Sequence, residues 1–269
     1  MAGFLRGGGG MRVAVLLFPG MNCEDETLRA LESVGLDARL VPAHTGEREL
    51  LSYDGFVLPG GFSHEDRIRA GVVAAKHPVM ETVARAAEEG RAVAGICNGA
   101  QILLEAGLVP ALEAGRVEMA LAVNDSGSRT GYYCDWRTVV ADFAEEPVPL
   151  PFAHAEGRFV TADEEVRRRV LAEGLIAARY CDQDGKVVAG WPVNPNGAWE
   201  NAAAIRNPQG NVLAIMPHPE RANWAWQGPV DTPGRWGEIR RSLPDAWTEE
   251  PGPGRDFFRA FARMTGVTA

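Results

Sequence analysis

Short, wholly apolar runs recur along this chain with helical periodicity between them, and that alternation leaves few folds open. Residues 12–18 read as a buried strand and 37–41, 54–58 and 92–96 as further strands, whereas 24–34 reads as an amphipathic helix and 72–89 as a longer helix stopped by Gly90. Strands linked by helices of this length require right-handed crossovers, so the expected class is α/β, a mostly parallel sheet with helices on both faces. Beyond residue 115 the texture changes. Residues 118–143 and 152–161 read as hairpin-type strands, 163–172 as a helix capped by Asp163, 176–181 as a strand running into the turn Asp182-Gln183-Asp184-Gly185, and 202–206 with 212–216 as a hairpin over Asn207-Pro208-Gln209-Gly210. A small antiparallel or mixed wing on the parallel sheet accommodates them. Residues 224–254, rich in Pro, Gly and Trp, read as an irregular surface excursion before a last helix at 256–264. The glycine run within residues 1–10 reads as a flexible tail and 11–269 as a single domain.

Composition narrows the partners. The 269 residues are 46% hydrophobic and 23% charged, as expected of a folded chain, and the formal charge of −9 repels phosphate backbones and anionic lipid. Neither nucleic acid nor membrane is expected as a partner. No apolar run approaches the ~20 residues of a membrane span, and the run after Arg12 is too short for a signal sequence, so a cytoplasmic location is expected. The four cysteines, Cys23, Cys97, Cys134 and Cys181, lie far apart without CxxC or Cys/His spacing. That pattern suggests neither a zinc site nor a disulfide framework, and no metal is expected.

The densest chemical signal is Ala92-Val-Ala-Gly-Ile-Cys97-Asn-Gly-Ala-Gln101. A buried strand delivers a cysteine between two glycines, Gly95 and Gly99, and then turns into a helix, the layout of a nucleophile elbow with sulfur in place of oxygen. The start of the following helix offers unpaired N–H groups and a dipole that favours negative charge there. Standing alone, the same pattern also describes a buried structural cysteine. A second cluster, Met216-Pro-His218-Pro-Glu220, ends another apolar strand. In extended chain, residues i and i+2 face the same way, so Glu220 can fix the tautomer of His218 while the second ring nitrogen faces outward. A base, its orienter and a separately placed thiol are the parts of activated-nucleophile catalysis. The third element, Pro59-Gly60-Gly61, breaks a strand into bare backbone that can aim N–H groups into a cleft, forming an oxyanion hole with the amide of Asn98. The remaining histidines, His44, His64, His77 and His154, sit in polar loops or beside a proline without ligand spacing and read as surface or loop residues, His64 and His154 being the first exceptions to look for.

With these pieces in order, the chain resembles the class I (triad) glutamine amidotransferases, whose architecture is flavodoxin-like. Over residues 11–221 it is similar to the glutaminase-subunit family of phosphoribosylformylglycinamidine synthase. The resemblance rests on Phe18-Pro-Gly-Met-Asn-Cys23, Pro59-Gly-Gly-Phe-Ser63 with Asp66 and Arg69-Ala-Gly71, the elbow through Gln101, Ala153-His-Ala-Glu-Gly157, Asn194-Pro-Asn-Gly197 and Met216-Pro-His-Pro-Glu-Arg221. It implies Cys97 as nucleophile, His218 as base, Glu220 as third triad member, Gly60, Gly61 and Asn98 at the oxyanion, and Gln101 at the amino-acid end of glutamine. It further implies that ammonia passes to a large synthetase subunit in de novo purine biosynthesis, with a small accessory subunit. ATP and Mg would belong to that partner, since no GxxxxGK[ST] occurs here.

Three stretches depart from the family pattern. His64-Glu65 replaces an aromatic and a glycine, 124–136 is longer than usual, and 224–254 exceeds the compact form. The alternatives are an amidotransferase serving another synthetase, or a non-catalytic cysteine sensor of the same architecture.

Overall fold

A computed structural model describes residues 10–244 and 247–266. Of the expected tail only Gly10 falls within them. Five strands, β1 (Arg12–Leu17), β2 (Asp37–Pro42), β3 (Gly55–Leu58), β4 (Ala92–Ile96) and β11 (Val212–Ile215), run parallel in the order β2-β1-β3-β4-β11. Every residue of β3 and β4 is buried, as continuous apolar runs covered on both faces require. The sheet continues antiparallel through β10 (Ala202–Arg206), β9 (Ile176–Cys181), β6 (Tyr133–Ala141) and β7 (Val148–His154), giving nine strands. A separate antiparallel pair joins β5 (Ala120–Val123) to β8 (Glu156–Val160). The α/β class with its mixed wing is therefore as expected.

The helices are α1 (Glu24–Glu32), α2 (Glu47–Leu50), α3 (Val72–Ala75), α4 (Val79–Glu88), α5 (Asn98–Glu105), α6 (Glu164–Ala172), α7 (Gly234–Ser242) and α8 (Arg255–Met264). As anticipated, Asp163 caps α6, its Oδ1 accepting from the N–H groups of Glu165 (2.9 Å) and Val166 (3.4 Å). No helix among the described residues is long and apolar enough to cross a membrane.

Three local expectations need correction. The single helix read over 72–89 is two, α3 and α4, parted at Lys76-His77-Pro78, because proline has no N–H to continue the ladder and starts a new helix instead. The hairpin strands read across 118–143 and 152–161 split between two sheets: only Ala155 separates β7 from β8, yet β7 pairs with β6 and β8 with β5. Residues 224–254 are not wholly irregular, since they contain α7. Only Gly237 of α7 is buried, so the helix carries no apolar stripe for periodicity to detect.

The four neighbouring parallel strands β1, β3, β4 and β11 end at the same edge of the sheet, which therefore collects the segments Phe18–Cys23, Pro59–Gly61, Cys97 and Met216–Glu220.

Candidate active site

Cys97 occupies the joint between β4 and α5 with φ 51° and ψ −105°, a conformation rare for a residue with a Cβ. Its flanking glycines are a steric requirement. A Cβ on Gly95 would stand 2.5 Å from the Gly99 carbonyl carbon, and one on Gly99 would collide with the Leu58 carbonyl of β3. Helix, strand and neighbouring strand thus touch backbone to backbone, and this contact forces the sharp turn that presents the sulfur. The Cys97 N–H donates to Ile215 O (2.8 Å), tying the end of β4 to the end of β11. The side chain is 5% exposed and its thiol donates to Ala153 O at 3.8 Å.

His218 follows β11, its N–H held by Pro151 O of β7 at 2.8 Å. Nδ1 lies 2.5 Å from Glu220 Oε1, and neither residue is accessible to solvent beyond 3%. The contact expected between them is present, by a different route from the extended chain proposed for it. Pro219–Ala222 forms a 3₁₀ turn, which folds the carboxylate back beneath the ring. Burial opposes an imidazolium here, but the Glu220 carboxylate and the sulfurs of Cys97 and Cys23 outweigh it and hold the His218 pKa well above its ordinary value. Cys97 lies near enough to the ring for its sulfur to favour the imidazolium. Thus elbow sulfur, imidazole and carboxylate, from residues more than a hundred apart in sequence, occupy one buried spot.

The Pro59–Gly61 turn reaches the same place. A Cβ on Gly60 would lie 2.8 Å from His218 Cε1, and Gly61, at φ 147°, packs against the Met21 backbone. Asn98 is wholly buried: its Oδ1 accepts from Ser63 N–H (2.9 Å), and its Nδ2 donates to Gln101 Oε1 (2.8 Å) and Asp66 Oδ1 (3.3 Å). As first residue of α5, its own N–H has no helical partner. Gln101, one turn along, donates to Glu156 O at 2.6 Å. All seven candidate site residues therefore gather at the carboxyl edge of the sheet.

The chain matches the family described as the CobB/CobQ-like glutamine amidotransferase domain over residues 10–260. It is 42% identical over 268 residues to the phosphoribosylformylglycinamidine synthase subunit PurQ of Methanothrix thermoacetophila, a match spanning 94% of this chain and 97% of that protein. The chain belongs to the PurQ family of glutamine amidotransferases. The PurQ of Thermus thermophilus is 44% identical over 212 residues, covering 79% of this chain and 90% of its own. Among solved structures, one chain of the PurLQS structure from Thermotoga maritima superposes with a TM-score of 0.68 at 29% identity, covering 95% of this chain and 99% of that one. Membership in the PurQ family makes the protein an enzyme subunit of glutamine chemistry, and the non-catalytic sensor reading falls away.

Two features of the PurQ site escaped the reading of the residues by type and spacing. Cys23, given no role in the site from its sequence position, is 1% exposed and lies against Gly60 and His218, while Arg221 Nη2 donates to its sulfur at 3.0 Å. The motif marked its loop, but the 195 residues separating it from His218 hid the contact. Tyr132, on the long 124–136 stretch, is 58% exposed yet close enough to Cys97, His218 and Arg221 to feel their charges; partial desolvation, then Cys134, push its phenol pKa up. Among the departures, Glu65 holds φ 59°, the left-handed region that a glycine adopts without strain, and is exposed beside Arg67. His64 turns its ring toward Phe18 (6.2 Å between ring centres). His154 is buried, bonded through Nδ1 to Asn124 Oδ1 (3.1 Å), and burial lowers its pKa to about 3.

Proposed function

We propose that this chain is the glutaminase subunit of a phosphoribosylformylglycinamidine synthase, with Cys97, His218 and Glu220 as its catalytic triad. The supporting observation is the meeting of the elbow sulfur with an imidazole whose far nitrogen is held 2.5 Å from a buried carboxylate.

In this reading Cys97 transfers its proton to His218 and its sulfur attacks the side-chain amide carbon of glutamine, forming an S–C bond. The amide oxygen becomes an oxyanion facing the N–H of Asn98 and the Gly60-Gly61 backbone. His218 returns the proton to the amide nitrogen as the C–N bond breaks, releasing ammonia and leaving a glutamyl thioester. Water, deprotonated by the same ring, cleaves the thioester to glutamate and restores the thiol. Glu220 keeps the ring oriented and stabilises its positive form throughout. Gln101 holds the amino-acid end of the substrate, exchanging its present bond to Glu156 O for one to glutamine.

Ammonia would be consumed by a large synthetase subunit that uses ATP and Mg to convert formylglycinamide ribonucleotide to formylglycinamidine ribonucleotide, with a small accessory subunit completing the assembly. Such a partner works where ATP is abundant, so the reading includes a cytoplasmic location. The decisive experiment is glutamate release from glutamine. We expect slow turnover by the chain alone, a marked rise with the cognate synthetase subunit, and loss with Cys97→Ala. A complex that makes no glutamate overturns the reading.

A further inference from the structure

We infer that Cys23, His218 and Glu220 also form a binding site for a borderline-soft divalent cation, of which zinc suits the donors best, and that the bound cation switches the base off. One ligand atom from each residue, a thiol sulfur, an imidazole nitrogen and a carboxylate oxygen, all lie within 4.8 Å of one another, and all three side chains are buried. Sulfur, nitrogen and oxygen from cysteine, histidine and a carboxylate are the donors zinc takes in tetrahedral sites, three from protein leaving a fourth position open.

A second observation points the same way. Glu220 Oε2 is buried with no hydrogen-bond partner, in a residue wholly closed to solvent. Unpaired polar atoms at such depth are costly, and a cation would satisfy the carboxylate oxygen directly. Tetrahedral zinc at about 2.0 Å from nitrogen and oxygen and about 2.3 Å from sulfur separates its ligands by roughly 3.3–3.5 Å. The Nδ1–Oε1 contact at 2.5 Å is too tight to admit it. Binding therefore replaces that hydrogen bond, Glu220 turning to offer a free oxygen. The Cys23 thiol loses one proton to solvent as the Zn–S bond forms, the ring releases the proton on Nδ1 as the Zn–N bond forms, and Arg221, partly exposed and already donating to that sulfur, swings toward water or caps the thiolate. With Nδ1 on the metal the ring's one remaining proton sits on Nε2, so that nitrogen can no longer accept the Cys97 proton, and the carboxylate leaves the orienting role that the proposed glutaminase reaction needs.

The metal arm of the test does not depend on that reaction, while the inhibition arm rests on the proposed function, so failure of one is distinguishable from failure of the other. Zinc binding to the full chain is measured by calorimetry, and cobalt is added as a spectroscopic probe to Cys97→Ala protein, which leaves Cys23 as the sulfur donor of the cluster. The expected results are one zinc per chain, a sulfur-to-cobalt charge-transfer band, and loss of about tenfold or more in zinc affinity with Cys23→Ser but not with Cys134→Ser. Glutamate release by the complex is then inhibited by zinc and restored by a chelator. A cobalt spectrum without a sulfur band, or zinc affinity unchanged in Cys23→Ser, overturns the site; tight zinc binding that leaves glutamate release untouched overturns the switch.

Discussion

His218 Nδ1 and Glu220 Oε1 stand 2.5 Å apart with both side chains closed to solvent. A carboxylate so placed has little water to share its charge with, so the imidazole ring is its principal partner and the two act as a unit. His218→Ala should abolish glutamate release, since general acid–base transfer contributes roughly 10²–10⁴-fold. Glu220→Gln should slow it less, because the ring keeps its ability to move protons and loses mainly orientation and charge stabilisation. Steady-state assays with the synthetase subunit present check the order; activity in His218→Ala equal to wild type removes the base assignment.

His154 predicts an acid limb in stability. Burial, helped by the nearby His218, lowers its pKa to about 3, far below the roughly 6.5 of an unfolded histidine. A depressed histidine stabilises the fold fully above the unfolded value, and that contribution is lost as pH falls from 6.5 toward 3. The loss is several kcal/mol at about 1.4 kcal/mol per unit. Urea unfolding between pH 7 and pH 4 should show it, with a shallower slope in His154→Gln; identical slopes would remove His154 as the cause.

Asp66 titrates in the opposite sense. Burial, then the neighbouring Glu156 carboxylate, raise its pKa to about 6 in spite of the bond from Asn98. A raised carboxyl stabilises the fold below its unfolded value near 3.9, and that advantage disappears as pH climbs through 6. At pH 7.5 Asp66→Asn should therefore gain about 1 kcal/mol after allowance for solvent screening, and at pH 4.5 only about a third of that. Equal effects at both pH values would contradict the assignment.

Gly99→Ala tests the elbow. Its methyl group would meet the Leu58 carbonyl of a fully buried strand, which cannot retreat without disturbing β3. Overpacking of this kind costs about 1–3 kcal/mol and should also displace the sulfur two residues earlier. Thermal unfolding and glutamate release should fall together, whereas Gly90→Ala, with nothing within 4 Å of its added methyl, should affect stability through its φ of 87° alone and leave turnover intact.

Much of this protein was legible as sequence because the signals are local. Continuous apolar runs marked β1, β3, β4 and β11, and Gly95-Ile-Cys-Asn-Gly99 marked the elbow, since backbone contact there admits no other residue type. Segments without a buried stripe, such as α7, left no trace in periodicity, and the break at Pro78 was masked by the apolar spacing on either side.

What residues 1–269 determined unaided was which strands and turns would form, through propensity, periodicity and steric need at single positions. What only the tertiary structure decided was which distant turns would meet. Parallel neighbours deliver their carboxyl ends to one edge, so Cys23, Gly60, Cys97 and His218 converge there. No spacing rule reaches across 195 residues, because that proximity is set by sheet order and not by the chain between.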